Sequence, residues 1–179
     1  RAEQSLHELL MDQLSMLDLA DHEYKIAEQI VGSLDDDGYL RRALQSIADD
    51  LAFKQSMWVE EKEIESIILQ IQQFDPAGIA ARDLQECLLL QLKRKQADAR
   101  MTNSIDSNHA SLDPIKLAIV VIEKHFEEFT RKHYDKIQKS LHLNEIEIKG
   151  VLQQILNLNP RPGADTNESH KSEMYIIPD

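Results

Sequence analysis

The chain has 179 residues, and its 32 Asp and Glu against 20 Lys and Arg give a formal net charge of −12. Nucleic-acid affinity comes largely from Lys and Arg that displace counterions from phosphates, so this balance argues against a general DNA- or RNA-binding protein. Hydrophobic residues make up 42% of the chain, which is enough to bury a core and excludes disorder throughout. Five Gly, five Pro and 5% aromatic residues, beside many Leu, Ile, Gln, Glu and Lys, predict an all-α protein.

Apolar residues in the first half of the chain recur at helical spacing and predict five helices. The second helix ends where Asp35-Asp36-Asp37-Gly38 interrupts the period, and the fourth ends at Asp75-Pro76-Ala77-Gly78. The residues expected to face inward are Leu6, Leu9, Leu10, Leu14 and Leu17; Ala27, Ile30, Val31 and Leu34; Leu44, Ile47, Ala48 and Leu51; Ile64, Ile67, Ile68, Ile71 and Phe74; and Leu84, Cys87, Leu88 and Leu92.

Local start signals mark two helices in the second half of the chain. Asp113-Pro114 is a capping residue followed by proline at the first helical position. Asn144 with Glu147 three residues later resembles a capping box, which opens a last helix. That helix carries a regular apolar stripe and ends at the Asn-Pro-Arg-Pro-Gly sequence of residues 159–163.

These patterns predict two packed helical subdomains, an N-terminal helical bundle and a C-terminal three-helix bundle that resembles a helix-turn-helix. Between them, a polar segment with Ser, Asn and Asp and no aromatic residue predicts a linker or loop. The expected parts are the acidic first subdomain over 1–95, the linker over 96–112, the second subdomain over 113–163 and an extended tail over 164–179.

A weak internal repeat relates the two halves. The apolar stripe that begins at Ile64 and ends at Asp75-Pro76 recurs 84 residues later, from Ile148 to Asn159-Pro160. A short helical pattern precedes each copy. A short helix, a turn and a longer helix form the outline of a helix-turn-helix, although two unrelated helices that each end at proline stay an alternative.

The sequence offers no pattern typical of an enzyme or a metal protein. No histidine pairs with another at the spacing of a zinc site, and the chain has neither a phosphate-binding glycine loop nor a nucleophile elbow. The single cysteine, Cys87, falls on an apolar stripe and is expected to be a buried, inert thiol. We therefore predict a non-enzymatic protein with no cofactor and no metal.

One cysteine and no apolar run of about 20 residues predict a cytoplasmic location and no membrane span. The chain opens on Arg1 and closes on Asp179 within a β-like phrase, so we expect both ends to be cut from a longer protein.

Charge is unevenly distributed along the chain. Residues 1–95 carry a net charge of −9 and residues 96–179 a net charge of −3. In a DNA-binding helix-turn-helix, the second helix would face the DNA. The first turn of the longer helix is rich in Glu in both outlines, and DNA phosphates would repel these carboxylates. We therefore favour a protein-binding use of the helix-turn-helix outlines. A DNA-binding transcriptional regulator and a helical protein-interaction adaptor remain the alternatives.

Four phrases of the sequence resemble the core-binding region of bacterial RNA polymerase sigma-54 factors. In chain order they read LDDDGYL at 34–40, FDPAGIAARDLQECL at 74–88, LNPRPG at 158–163 and YIIPD at 175–179. The resemblance covers nearly the whole chain except the polar segment at 96–112. It implies a non-catalytic subunit that binds core RNA polymerase and holds it at promoters until an ATP-dependent activator remodels the complex. In the family, the activator-responsive region lies upstream and the promoter-reading region lies downstream of this part.

The resemblance and the charge pattern give two sets of candidate residues. The candidates for polymerase contact are Asp35, Asp36, Asp37, Tyr39, Asp75, Arg82 and Asp83. The candidates for structural turns are Gly38, Pro76, Gly78, Pro160, Pro162 and Gly163. A structural interpretation of the first phrase stays open, in which Gly38 supplies left-handed backbone and Tyr39 and Leu40 pack against the helices.

Overall fold

The computed structural model describes residues 4–102 and 113–164. Nine helices lie entirely within these ranges: α1 Leu6–Leu14, α2 Asp21–Ser33, α3 Leu44–Gln55, α4 Glu61–Ile71, α5 Leu84–Thr102, α6 Pro114–Lys124, α7 Phe126–Thr130, α8 Tyr134–Leu141 and α9 Glu145–Leu156. No strand is found within these ranges, so the all-α prediction is confirmed.

The chain folds as two compact units. Unit 1 combines residues 1–83 with residues 161–179, and unit 2 contains residues 84–160. This division differs from the predicted one, which placed residues 84–95 in the first subdomain. The reason is that Leu88 and Leu92 of α5 are buried in the core of unit 2, beside residues of α6 and α9.

Unit 1 packs α1, α3 and α4 around α2 and the core that these helices share. The core contains most side chains of the predicted stripes, together with Ile26 of α2, which the stripes did not include, and residues from the loops that follow α2 and α4. The fully buried large residues are Leu10, Leu14, Ile26, Ile30, Leu40, Ile47, Leu51, Ile64, Ile68, Ile71 and Ile79. Burial of these side chains supplies most of the favourable free energy of folding in unit 1.

Unit 2 is built on α6, which contacts both α5 and α9. The start signals predicted from the sequence are confirmed. The Asp113 carboxylate accepts from the Ile115 N–H at 3.0 Å. The Asn144 side chain accepts from the Glu147 N–H at 2.8 Å, and the Glu147 carboxylate accepts from the Asn144 N–H at 2.9 Å. These caps satisfy N–H groups that have no partner inside the helix.

The predicted linker at 96–112 is wrong over its first residues. Helix α5 continues to Thr102, because residues 96–102 contain no Gly or Pro and include strong helix formers such as Gln, Ala, Arg and Met. The polar side chains of this segment belong to an exposed part of the helix and do not mark its end. The rest of the linker, residues 103–112, and residues 165–179 of the predicted tail lie outside the described residues. Ala164, the first residue of that tail, is helical and buried instead of extended.

The internal repeat predicted from the sequence corresponds to two helix-turn-helix outlines, α3–α4 in unit 1 and α8–α9 in unit 2. In each, the first helix is capped by a residue with left-handed backbone, Ser56 with φ 53° and His142 with φ 55°. Asn144, which begins the capping box of α9, lies in the turn between α8 and α9. The two outlines therefore share the order of helices and a left-handed residue after the first helix, whereas the capping box occurs at α9 and not at α4.

Candidate functional site

The acidic phrase forms a closed turn that follows α2. Helix α2 ends at Ser33, so the phrase is a separate turn and not the end of the helix itself. The Gly38 N–H donates to the Asp35 carbonyl at 2.9 Å, and the Asp35 N–H donates to the Tyr39 carbonyl at 2.9 Å. Gly38 has φ +95°, a conformation that glycine adopts at little cost. The predicted role of Gly38 in a left-handed turn is confirmed.

Arg41 binds two carboxylates of this turn. Its guanidinium donates to Asp35 at 2.7 Å and to both oxygens of Asp37 at 2.8 and 3.0 Å. It also lies over the Tyr39 ring, 4.8 Å from the centroid, in cation–π geometry. The hydrogen bond from Arg41 is the main reason that the pKa of Asp37 lies below its usual range, and the positive charge of Arg161 adds to the effect. The same pairing raises the pKa of Arg41.

The second phrase lies directly against the first. The Ala80 N–H donates to the Gly38 carbonyl at 2.8 Å, and the Leu40 N–H donates to the Ala81 carbonyl at 2.9 Å. The buried Gln72 side chain donates to the Ala80 carbonyl at 3.1 Å. Two phrases that are 40 residues apart in the sequence are thus joined by main-chain hydrogen bonds.

The Arg-Pro-Gly residues of the third phrase return to the same place. The Gly163 N–H donates to the Asp37 carbonyl at 2.9 Å. A Cβ on Gly163 would lie 2.5 Å from the Gly38 nitrogen and 2.8 Å from the Asp36 oxygen, and a Cβ on Gly38 would lie 2.9 Å from the Gly163 nitrogen. Pro162 and Gly163 are buried. We call this meeting of the three phrases the backbone junction, formed by residues 35–41, 79–81 and 161–163.

Asp75 is held through its main chain. The Gln13 side chain of α1 accepts from the Asp75 N–H at 2.8 Å and donates to the Asp75 carbonyl at 2.7 Å. The Asp75–Pro76 peptide bond is cis, the Ile79 N–H donates to the Pro76 carbonyl at 3.2 Å, and Gly78 has φ +95°. The predicted turn at this phrase is confirmed.

The remaining candidates occupy separate positions. Arg82 makes a two-pronged ion pair with Glu65 of α4, at 2.6 and 2.9 Å, and Asp83 is exposed directly before α5. Tyr39 is only 6% exposed. Its ring therefore stabilises the turn from inside, as the structural interpretation of the first phrase predicts.

In unit 2, Asn159 before Pro160 is held in the same way as Asp75. The buried Gln91 side chain of α5 accepts from the Asn159 N–H at 2.8 Å and donates to its carbonyl at 2.6 Å. Sequence reasoning missed Gln13, Gln91 and Arg41. The available signal for Gln91 was its position on the buried face of α5, between the apolar residues Leu88 and Leu92.

The contacts observed at the junction are ones that hold its segments together. Its three segments are joined by backbone hydrogen bonds, and its ionised side chains include a surface cluster in which Arg41 pairs with the carboxylates of Asp35 and Asp37. Within residues 4–102 and 113–164, no group of three His, Cys, Asp or Glu could hold a metal ion. The Cys87 thiol is buried, as predicted. No helix in the described part of the chain is long and apolar enough to cross a membrane.

Comparison with known proteins gives one family. The sequence matches the family described as "Sigma-54 factor, core binding domain" over residues 1–179. The chain belongs to this family. The resemblance inferred from the sequence phrases is confirmed, and three of those phrases meet at the backbone junction of unit 1.

Similar proteins named RNA polymerase sigma-54 factor come from several bacteria. The RNA polymerase sigma-54 factor of Pseudomonas aeruginosa is 33% identical over 176 residues, which are 98% of this chain and 32% of the relative. That of Azotobacter vinelandii is 34% identical over the same shares. That of Salmonella typhimurium is 31% identical over 98% of this chain and 33% of the relative. The chain thus spans about a third of the length of these relatives.

Proposed function

We propose that this chain is the part of a sigma-54 transcription initiation factor that binds core RNA polymerase. The observation that carries the proposal is the family match over residues 1–179. In the whole factor, an ATP-dependent activator and promoter DNA would act through regions other than this one. The chain itself would supply a non-catalytic protein-binding surface.

The distribution of charge between the units supports unit 1 as the main contact surface. The described residues of unit 1 contain 17 Asp and Glu against 7 Lys and Arg, a net charge of −10. Those of unit 2 contain 9 against 11, a net charge of +2. A basic surface on polymerase would be steered toward unit 1 and away from unit 2.

Within unit 1, the candidate carboxylates differ in how they can act. Asp35 and Asp37 both bind Arg41, and this pairing helps to hold the turn in shape. Asp36 is exposed beside them, and Asp75 and Asp83 are also exposed. We propose that these three carboxylates take part in polymerase contact, and that Arg82 acts by holding α4 through Glu65. Asp35, Asp37 and Tyr39 would act by shaping the turn.

A DNA-binding regulator is the less favoured alternative. In a helix-turn-helix reader, the start of the second helix faces the major groove. Here α4 begins with Glu61 and Glu63, and α9 begins with Glu145 and Glu147. Carboxylates at both positions would repel the phosphates on either side of the groove. The helical adaptor differs from our proposal only in the identity of the protein partner.

The test is a binding measurement between the 179-residue chain and core RNA polymerase purified from Pseudomonas aeruginosa, at 50 and 300 mM salt. We expect a complex that forms faster at low salt, because screening weakens long-range attraction. The Asp36→Lys variant should associate more slowly at low salt and at nearly the wild-type rate at high salt. A gel shift with promoter DNA is the matched control.

Two results would overturn the proposal. One is failure of the chain to bind a polymerase that the full-length Pseudomonas factor binds. The other is tight binding of promoter DNA by the chain alone at 300 mM salt, which would favour the regulator. Binding to neither polymerase nor DNA would favour the adaptor.

A further inference from the structure

The segment between α3 and α4 presents the single tryptophan of the chain to solvent. Residues 57–60 alternate between half-buried and exposed, as in an extended segment with one face on a core. Met57 and Val59 pack against the core of unit 1, whereas Trp58 is 82% exposed. The outward direction of Trp58 is therefore imposed by its two neighbours.

The backbone fixes this segment as well. Ser56 adopts left-handed backbone at the end of α3, and the Met57 N–H donates to the Leu51 carbonyl at 3.2 Å. Because the backbone is already ordered, a partner that covers Trp58 does not have to order the main chain of this segment as well. Large aromatic residues that are rigid and exposed are typical anchors of protein–protein interfaces.

Trp58 lines a groove of about 520 Å³ at the start of α4. The other lining residues are Glu60, Lys62, Glu63 and Ser66. Lys62 and Ser66 lie one turn apart on α4, and Leu69, 51% exposed, continues the same face three residues later. From Lys62 to Leu69 the helix rises about 10 Å. The groove thus combines an aromatic ring with charged side chains and a small residue, and an exposed aliphatic residue follows it on the same face of α4.

We propose that this Trp58 groove receives an amphipathic helix of the polymerase that carries Lys or Arg beside an aliphatic residue. The inference rests on the proposed polymerase-binding function and names the surface that performs it. Charge complementarity selects the occupant, because two carboxylates, Glu60 and Glu63, line the groove against one cation, Lys62, and unit 1 is strongly acidic. Trp58 covers the aliphatic residue and attracts the cation through its ring.

The groove contrasts with the backbone junction. At the junction, Tyr39 is buried and Asp35 and Asp37 bind Arg41. At the groove, by comparison, an aromatic ring is exposed without being needed by the core of unit 1. Phe53, 91% exposed on the last turn of α3, adds a second exposed aromatic residue to the same helix-turn-helix outline.

The experiment compares Trp58→Ala with Met16→Ala in the full 179-residue chain, using core polymerase from Pseudomonas aeruginosa as the probe. Met16 is a matched control because it is 83% exposed in unit 1 and does not line the groove. We expect Trp58→Ala to weaken binding by about 30-fold or more, as for an interface anchor, and Met16→Ala to change it by less than about 3-fold. Urea unfolding of both variants should match the wild type, since neither side chain is in the core.

A second measurement follows the side chain itself. Hydroxyl-radical labelling with mass spectrometry should show that Trp58 oxidation falls at least 5-fold on addition of polymerase, while Met16 oxidation is unchanged. The proposed use of the groove would be contradicted if Trp58→Ala bound polymerase as tightly as the wild type and polymerase did not protect Trp58 from oxidation. The proposed function would be unaffected by that result. Absence of binding by the wild type would instead contradict the proposed function.

Discussion

Gly38 and Gly163 approach each other so closely that neither position can accept a side chain. A Cβ on Gly163 would lie within 2.8 Å of three backbone atoms of the acidic turn. Those atoms belong to a turn closed by its own hydrogen bonds and cannot move as the end of a flexible side chain could. Gly38 carries a second constraint, because its φ of +95° is strained for any other residue.

We therefore expect Gly163→Ala and Gly38→Ala each to lower the free energy of unfolding by about 2 kcal/mol or more, through overpacking and, at Gly38, backbone strain. Urea titration followed by circular dichroism measures the change. Gly32→Ala and Gly150→Ala are the controls. Both lie in helices with nothing within 4 Å of the new Cβ, so they should raise stability by about 0.5–1 kcal/mol. Equal effects in all four variants would contradict the close approach.

The Arg41 pairing makes a prediction about pH. In the folded chain Arg41 holds the pKa of Asp37 below its ordinary value of about 3.9. Arg41→Gln should raise the pKa of Asp37 toward that value. The lowered pKa means that the ionised carboxylate of Asp37 is more stable in the folded chain than in the unfolded chain. The wild type should therefore lose stability as the pH falls from the pKa of Asp37 in the unfolded chain through its pKa in the folded chain. The variant should lose less over the same interval.

The measurement is a carboxyl ¹³C titration of Asp37 by NMR in the wild type and in Arg41→Gln, together with urea unfolding between pH 5 and pH 2.5. Arg42→Gln is the control, since Arg42 pairs with Asp50 instead. An Asp37 titration that is the same in Arg41→Gln and the wild type would show that the ion pair does not form in solution.

At the scale of elements, a glutamine in the first helix of each unit holds the residue before a proline. Gln13 of α1 binds both backbone groups of Asp75, and Gln91 of α5 binds both backbone groups of Asn159. Asp75 and Asn159 are the residues that the 84-residue repeat aligns. The repeat is therefore more than two helices that end at proline, because the same side-chain device ends both.

The two glutamines should differ in their contribution to stability. Gln91 is 7% exposed, so Gln91→Leu removes its two hydrogen bonds to Asn159 in a dry environment and should cost about 1–3 kcal/mol. Gln13 is half-buried, and Gln13→Leu should cost about 0.5–1.5 kcal/mol, since water can replace the amide. Gln45→Leu, at an exposed position of α3, should stay within about 0.5 kcal/mol of the wild type in urea unfolding. If Gln91→Leu were as stable as Gln45→Leu, the hydrogen bonds between Gln91 and the backbone of Asn159 would not stabilise the fold as we propose.

The sequence predicted those elements whose signals are local. The starts of α6 and α9 followed from capping residues within three positions, and the apolar stripes gave most of the buried faces. Leu84, which was expected to face inward, is 38% exposed instead. The end of α5 was missed because polar composition was interpreted as a loop, whereas composition reports exposure. The backbone junction was also beyond prediction. Periodicity tells which face of a helix is buried, but it does not tell which distant turns exchange hydrogen bonds.

For the same reason the candidate site was predicted only in part. The distinctive residues were found, and Gly38 was correctly assigned to left-handed backbone. Arg41 could not be recognised as the partner of Asp35 and Asp37, because an exposed arginine near acidic residues is common in any sequence. The contrast between buried Tyr39 and exposed Trp58 depends on tertiary packing and is visible only in the fold.

At the scale of the whole molecule, the two units differ in net charge and have separate apolar cores. The acidic excess belongs to unit 1, and each unit has a separate apolar core. The core of unit 1 runs from Leu6 to Ala80, and that of unit 2 from Leu88 to Leu158. A unit whose core comes from one continuous segment has the interactions it needs to fold by itself.

Residues 84–160, expressed alone, should therefore fold into a helical domain. The continuous segment contains α5 to α9, the Asn144 capping box and the Gln91–Asn159 hydrogen bonds. We expect helical circular dichroism, a cooperative urea transition and dispersed amide resonances. The control is Ile122→Asp in the same segment, which places a carboxylate at a fully buried position and should abolish cooperativity. A broad, non-cooperative transition in the unmutated segment would mean that unit 2 depends on the rest of the chain for its fold.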